Sequence, residues 1–352
     1  MALRHLGFSK KVVIIDEVHA YDAYMSEYLE RALEWMGAYD VPVILLSATL
    51  PAESRNRFAT AYLKGKGLKK RDIVNDKKTL STTAYPLITY TEGNNIMLAD
   101  EFQQIKNKAV KIELLNRELL YEKIEELLSD NGIIGIIVNT VKDAQEIAEK
   151  CTDLSLKLFG EDLAFLLHSG FIATERSEKE KELVKMIGKG AERPNKKIII
   201  GTQVIEQSLD IDVDVMISEL APMDLLIQRI GRLHRHDIKR PGRYEYPILY
   251  VIGTNEEFNF NKGSEYVYGR YLLAQTQVML PDVINIPKDI SPLVQSVYAD
   301  IKSLDLSEPI KQMKEQFELE RQKKRNRAKT YLLSKPEHEK FDYDDETVSL
   351  ID

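Results

Sequence analysis

Short unbroken apolar runs, each closed by polar turn residues, alternate along the chain with longer stretches whose apolar positions recur every three or four residues. Val12 to Ile15, Val43 to Leu46, Ile133 to Val138, Leu163 to Leu167 and Ile198 to Ile200 are of the first kind, and Val213 to Ile217 joins them with Asp214 as its one polar residue. Continuous runs of that length suit strands covered on both faces, as in a parallel sheet. Between them lie the helix-compatible stretches Ala23 to Gly37, Glu118 to Ser129, Val141 to Lys150, Glu175 to Ile187 and Met223 to His234. This alternation predicts an α/β fold built on a parallel sheet.

The basic, turn-rich stretch Lys64 to Lys78, followed by Tyr85 to Glu92, places a boundary near residue 93. Residues 1–93 then form a first domain, 94–254 a second, and 255–352 an accessory segment. Within that segment Tyr266 to Leu280 and Ser291 to Leu304 read as amphipathic helices, Glu308 to Tyr331 as a highly charged helix, and Pro336 to Asp352 as an acidic tail. The basic run Arg321 to Arg327 reads first as a solvated helix face and only second as a nucleic-acid patch.

Composition narrows the class without choosing a partner. The chain has 352 residues, 43% hydrophobic and 30% charged, which is ordinary for a globular protein long enough for two domains. A net charge of -7 gives no bulk attraction for a polyanion, so any nucleic-acid contact must be local. No apolar run approaches the roughly 18 to 20 residues of a membrane span, and MALRHLGFSKK lacks the apolar stretch of a signal peptide. The expectation is a cytoplasmic protein with no membrane partner. The single cysteine, Cys151, excludes an internal disulfide and reads as a core thiol.

Candidate chemistry begins where Val12 to Ile15 ends in Asp16-Glu17-Val18-His19. Adjacent carboxylates at the tip of a buried strand have the shape of a Walker B site. Asp16 would hold Mg²⁺ through water, and Glu17 would polarise the water that attacks the γ-phosphate of ATP. An acidic turn after a buried strand is the other reading. Val43 to Leu46 ends in Ser47-Ala48-Thr49-Leu50-Pro51, whose Ser47 and Thr49 hydroxyls can link a nucleotide site to a bound nucleic-acid strand. Further on, Gln228-Arg229-Ile230-Gly231-Arg232-Leu233-His234-Arg235 falls on the helix predicted after Met223. Arg232 and Arg235, three apart, then share a helical face, and two guanidinium forks suit a transferring phosphoryl group; a basic face in water is the alternative. The stretch Gly201 to Asp212 follows the strand Ile198 to Ile200, so Thr202 and Gln203 fall at the carboxyl edge of the sheet, where ligands of open α/β sheets sit. Asn139-Thr140 and His168-Ser169 end their strands in the same way, and each pair also reads as a helix cap.

DEVHAYD at Asp16 to Asp22, SATLP at Ser47 to Pro51, NTV at Asn139 to Val141, HSGF at His168 to Phe171, TQVIEQSLDID at Thr202 to Asp212 and QRIGRLHRH at Gln228 to His236 stand in the order of motifs II to VI of superfamily 2 helicases. Together they resemble the CRISPR-associated type I signature helicase-nuclease family over roughly residues 1 to 300. The resemblance implies a partial first RecA-like domain, a complete second one with a parallel sheet, and a C-terminal helical extension. In that family the two domains clamp ATP and walk along single-stranded DNA, a separate nuclease domain cuts the strand, and the RNA-guided Cascade surveillance complex recruits the motor. It makes Asp16 the Mg²⁺ carboxylate, Glu17 the catalytic base, and His19 a link between nucleotide and domain interface. Gln228 would touch the nucleotide, Asp210 would lie near the ribose, and Arg232 and Arg235 would be arginine fingers. Asn139, Thr140, His168, Ser169, Thr202 and Gln203 would line the DNA track. Relatives often carry arginine after the His-Ser pair, where this chain has Gly170.

A phosphate-cradling loop needs glycines, a lysine and then Ser or Thr between a strand and a helix. Gly65-Lys66-Gly67 is followed by Leu68 and Gly188-Lys189-Gly190 by Ala191, neither at a strand-to-helix turn. The expectation is therefore a portion of a longer protein that does not hydrolyse ATP by itself, with Val12 to Ile15 and Val43 to Leu46 as a strand pair with open edges. No nuclease metal site is expected in this stretch either: His236-Asp237 lies beside Arg235, Lys239 and Arg240, a poor place for a cation. Two other readings stay open, a non-catalytic DNA-binding or Cascade-binding module and an RNA helicase of superfamily 2.

Overall fold

The apolar runs become strands at nearly the expected places. A computed structural model describes residues 7–8, 10–18, 23–75, 77–103, 106–206, 209–298 and 308–336. The chain divides into two units: residues 1–82, 86–100 and 320–352 make the first, and 83–85 with 101–319 the second.

In the first unit, β1 (Val13–Ile15) and β2 (Val43–Leu45) pair in parallel, Val13 opposite Val43 and Ile15 opposite Leu45. Helices α1 (Ala23–Ala38) and α2 (Ala52–Gly65) supply Leu29, Leu33, Phe58 and Ala61 to a core shared with Ile15, Val43 and Leu45. The pleat turns Ile14 and Ile44 the other way, where they are exposed. Glycine sets the closeness of the helices: a Cβ on Gly37 would stand 2.2 Å from the Tyr62 carbonyl oxygen, and one on Gly65 2.0 Å from that of Glu34. A second, three-stranded sheet orders β3 (Val74–Asn75), β5 (Asn95–Ala99) and β4 (Ile88–Glu92). Its hairpin turns on Gly93 at φ 58°, a conformation that glycine takes without steric cost.

The second unit is built on a seven-stranded sheet of β6 (Lys108–Leu114), β7 (Gly132–Ile137), β8 (Ala164–Leu167), β9 (Lys196–Gly201), β10 (Val215–Glu219), β11 (Ile248–Ile252) and β12 (Val283–Ile286). Their order is β12-β6-β11-β10-β7-β9-β8, all parallel except β12, which runs antiparallel to β6. The fold is α/β. Every residue of β7 and β10 is buried; β7 is accordingly an unbroken run of isoleucine and glycine, while β10 ends in the buried polar pair Ser218 and Glu219. Helices α3 (Leu120–Leu128), α4 (Val141–Phe159), α5 (Ala173–Ile187) and α6 (Met223–Ile230) alternate with the strands. Thr140 caps α4 by accepting the Asp143 amide at 3.1 Å, and Gly160 at φ 75° ends it, past the expected Lys150.

Two expected helices change. The helix from Met223 to His234 stops at Ile230, because Leu233 is drawn into a bridge with Val213. The Val213 amide donates to the Arg232 carbonyl at 3.0 Å and the His234 amide to the Val213 carbonyl at 3.1 Å. Arg232 and Arg235 therefore stand on a turn, not on one helical face. The helix from Tyr266 to Leu280 is two, α7 (Lys262–Tyr268) and α8 (Arg270–Met279), broken at Gly269, whose φ is 82°. Helix α9 (Ile290–Tyr298) follows β12, and α10 (Glu308–Thr330) closes the described chain. Ile310, Met313 and Phe317 of α10 pack into the second unit's core. From Glu320 onward the chain belongs to the first unit, where Arg325 faces Glu27 at 3.7 Å. Among the described residues no helix is long and apolar enough to cross a membrane.

Candidate nucleotide and nucleic-acid sites

The paired strands of the first unit bring the first motifs to one edge. Asp16 follows β1, and Ser47 and Thr49 follow β2, at the carboxyl ends of neighbouring parallel strands. Asp16 and Glu17 are exposed. The Glu17 amide donates to Asp16 Oδ1 at 2.8 Å, and Glu17 has a φ of 55°, so the backbone reverses hard on the carboxylate pair. Ser47 Oγ donates to the Thr49 carbonyl at 2.7 Å, while the Thr49 hydroxyl is buried and unpartnered among the described residues. His19 lies outside the described residues.

The carboxyl edge of the large sheet gathers a second group. Ile137 and Leu167 both stand opposite Gly201, so Asn139-Thr140, His168-Ser169 and Thr202-Gln203 leave the sheet at one level. Asn139 is buried and its side chain is fully engaged: it donates to the Leu220 carbonyl at 2.8 Å and to Ser264 Oγ at 3.0 Å, and accepts from Arg229 at 3.1 Å. That makes it an internal brace for the edge. Gln203 Nε2 donates to the Asn139 carbonyl at 3.2 Å and to the Tyr268 hydroxyl at 2.7 Å. His168 is buried, accepts the Gly170 amide on Nδ1 at 3.1 Å and stacks on Phe171 with centroids 4.2 Å apart. Burial pushes its pKa down, which keeps the ring neutral. A Cβ on Gly170 would stand 3.2 Å from that ring, so a larger residue there needs the imidazole to shift by a few tenths of an ångström. Ser169 is exposed, and the buried Thr202 hydroxyl has no partner among the described residues.

A third group lies on the turn after α6, beside Val213, just ahead of the start of β10. Arg232 Nη2 donates to the Glu206 carbonyl at 2.8 Å, and Arg235 Nε to Asp210 Oδ1 at 2.6 Å. His236 Nε2 is 3.0 Å from the same oxygen, and these two partners hold the Asp210 carboxyl below the usual range. Asp210 is thus bonded directly to one of the candidate arginines. Gln228 Nε2 is buried without a partner among the described residues. Behind the turn, Asp212 and Asp214 face Arg193 at 3.2 and 2.8 Å, and Arg240 reaches both, at 2.6 Å for Asp212.

Sequence reasoning passed over the residue that ties two of these groups together. Arg229 is wholly buried; its Nε donates to Glu206 Oε2 at 2.7 Å, and its Nη1 to Ser218 Oγ at 2.8 Å and the Glu219 carbonyl at 2.9 Å. Glu219 Oε2 accepts the Asn139 amide at 2.8 Å and Oε1 the Ser264 hydroxyl at 2.9 Å. Asn139 at the sheet edge is therefore joined through Arg229 to Glu206, whose carbonyl receives Arg232. The available signal was Ser264 and Tyr268, four apart on α7, which turns both toward the edge.

A parallel strand pair that ends in a carboxylate motif, and a mostly parallel α/β sheet with hydroxyl-bearing motifs at its strand ends and an arginine-bearing turn after one of its helices, fit the class of superfamily 2 helicases. Residues 130–238 match the profile of the CRISPR-associated nuclease/helicase Cas3, C-terminal, and the chain belongs to this family, as part of its helicase portion. It is 54% identical over 341 residues to the CRISPR-associated nuclease/helicase Cas3 of Streptococcus thermophilus, covering 96% of this chain and 36% of that protein. The crystal structure of T. fusca Cas3 superposes with a TM-score of 0.86 at 32% identity, over 95% of this chain and 40% of that one. Its ADP and ATP forms match with TM-scores of 0.85 and 0.83, both at 31% identity and over 95% of this chain and 40% of theirs. A chain from a CRISPR RNA-guided surveillance complex, pre-nicking, matches at 0.79 with 31% identity, over 95% of this chain and 42% of that one. The chain spans 36% to 42% of the length of these relatives.

Proposed function

We propose that the chain supplies the nucleotide-closing and strand-gripping part of an ATP-dependent single-stranded DNA translocase of CRISPR defence, working in the cytoplasm. In this reading residues 1–93 belong to a first RecA-like domain, 94–254 form the second, and 255–352 are the accessory segment. Asp16 and Glu17 serve ATP hydrolysis as Mg²⁺ carboxylate and base, with His19, Asp210 and Gln228 near the nucleotide. Among the described residues no cluster of three or more His, Cys, Asp or Glu could cage a metal. One exposed carboxylate at a strand tip fits a Mg²⁺ ion carried largely by nucleotide phosphates and water. When bound, that ion supplies charge neutralisation on the phosphates. Arg232 and Arg235 are the arginine fingers. Ser47, Thr49, Thr140, Ser169, Thr202 and Gln203 line the DNA track, with Asn139 and His168 bracing it.

The observation that carries the reading is the hydrogen-bonded line from Asn139 through Arg229 and Glu206 to Arg232, which gives a strand-binding edge and a phosphoryl-facing turn a common buried support. Recruitment by the Cascade complex and coupling to a nuclease domain rest on the likeness to the relatives described above. The 352-residue chain by itself should turn over no ATP, because its sequence carries no glycine-rich Lys-Ser/Thr loop to position the β- and γ-phosphates. Turnover abolished by Glu17→Gln would overturn that. The decisive test is steady-state ATPase in a protein joining this chain to a phosphate-binding loop. Arg232→Ala or Arg235→Ala should each lower turnover by about 10³-fold, the scale of arginine fingers, with DNA affinity in the absence of nucleotide little changed. Near-normal turnover in both variants refutes the assignment.

A further inference from the structure

The turn that carries Arg232 and Arg235 has an awkward backbone. His234 sits at φ 51°, in the left-handed region that a non-glycine residue adopts only at a steric cost. Such a conformation persists only where its surroundings fix it. Two opposite charges do so here. The Asp212 carboxylate accepts the backbone amides of Arg235 at 3.0 Å and His236 at 3.3 Å. From the other side, Lys108 at the start of β6 donates its ammonium to the carbonyls of Leu233 and, at 2.8 Å, His234. Carboxylate on amides and ammonium on carbonyls is the complementary pairing for a backbone reversal.

We propose that Lys108, which lies outside every recognised motif, is a positioning residue for the arginine-bearing turn, acting with Asp212 as a two-charge clamp on its backbone. Lys108 has no business with phosphate: its ammonium is directed inward, and burial pushes its pKa down to about 8. At neutral pH it is still an ammonium, with part of its water replaced by those carbonyls. Arg240 opposes that charge and Asp212 favours it. The consequence is that the spacing of Arg232 and Arg235 is set from a strand more than a hundred residues upstream. The functional value of the clamp rests on the arginine reading above; its existence does not.

The test therefore reads the turn without nucleotide. Amide hydrogen exchange is measured residue by residue in the full 352-residue chain for wild type, Lys108→Met, Lys108→Gln and Lys108→Arg. Loss of the charged donor should raise exchange at His234, Arg235 and His236 by about tenfold, the scale of hydrogen bonds to a charged group. Amides of Ile198, Ile199 and Ile200 in β9 should stay within about twofold, and Lys108→Arg should restore most of the protection at the turn. Unchanged exchange at the turn in both neutral variants overturns the clamp. So does a rise spread equally over the turn and β9, or failure of both neutral variants to fold, since either makes Lys108 a general stability residue. If the clamp holds but the arginine variants leave ATPase untouched, the functional reading fails and this inference stands.

Discussion

Arg229 and Glu206 meet at 2.7 Å with both side chains wholly out of water, which makes theirs the most deeply buried ion pair described in the chain. Burial pushes the Glu206 carboxyl up, against the pull of the guanidinium. Breaking such a pair from one side strands a charge in the interior and costs about 3–5 kcal/mol, whereas replacing both partners by apolar groups is often close to neutral. Arg229→Met alone and Glu206→Leu alone should each lower unfolding stability on that scale, and the double variant should recover much of it. Chemical denaturation of the four proteins measures the coupling; strict additivity would show that the two side chains act independently.

His234 gives the chain an acid-sensitive point. Burial, followed by the Arg240 charge, pushes its pKa down to about 4 from an ordinary 6.5. Between those values the unfolded chain binds a proton that the folded chain refuses, so stability falls as pH falls. The contribution is fully present above about 6.5 and lost as pH drops through about 4. With the ring only part-buried, it is on the order of 2 kcal/mol. His234→Asn keeps a residue that tolerates positive φ and removes the titration. Unfolding free energies at pH 7 and 4.5 should show the variant losing less stability than wild type. Parallel losses would remove His234 as the cause.

How far the sequence carried the fold depended on whether a signal was local. Strand β7 was legible because Ile133, Ile134, Ile136 and Ile137 are buried on both faces and leave an unbroken run. Strand β6 was not, because Val110 and Ile112 alternate with Lys111 and Glu113, the signature of a strand near an edge rather than in the middle. The end of α6 was illegible for a different reason: the helical period continues through Arg232 and Arg235, and only the bridge from Leu233 to Val213, twenty residues away, stops it. The site divides in the same manner. Strand-end motifs can be placed by their neighbours, but nothing near Arg229 in sequence says that it is buried, since its partners Glu206, Ser218 and Asn139 come from a turn after β9, the body of β10 and the end of β7.

The α1–α2 crossing should tolerate no side chain at its closest point. A Cβ on Gly65 would lie 2.0 Å from the Glu34 carbonyl oxygen, a backbone atom that cannot swing aside. Gly65→Ala should destabilise the first unit by about 1–3 kcal/mol, the range for overpacked interiors, against the few tenths gained from better helix propensity. Exchange protection at Leu29, Leu33 and Phe58 should fall, with Ile198 to Ile200 of the second unit unaffected. An alanine variant with normal protection at those three residues would show that the helices can separate at no cost.

Binding of single-stranded DNA should be weak and only slightly salt-dependent. The edge at Thr140, Ser169, Thr202 and Gln203 carries only uncharged side chains, with the Thr202 hydroxyl buried and the Gln203 amide nitrogen already bonded to Asn139 and Tyr268, and burial pushes the His168 pKa down. The nearest exposed cation on α4, Lys142, is already 3.6 Å from Glu146. Counterion release follows the number of phosphates neutralised, at about -0.7 in log-log slope per contact on a single strand, so one or two contacts give a slope near -1. Lys142→Ala should flatten that slope, while Ser169→Ala should lower affinity with the slope unchanged, because a neutral donor releases no ion. Titrating a short labelled oligonucleotide at several salt concentrations separates the two. A slope steeper than about -4 needs many more cations than this edge possesses. It would transfer the binding to the basic run Arg321 to Arg327 of α10, where alanines should then abolish it.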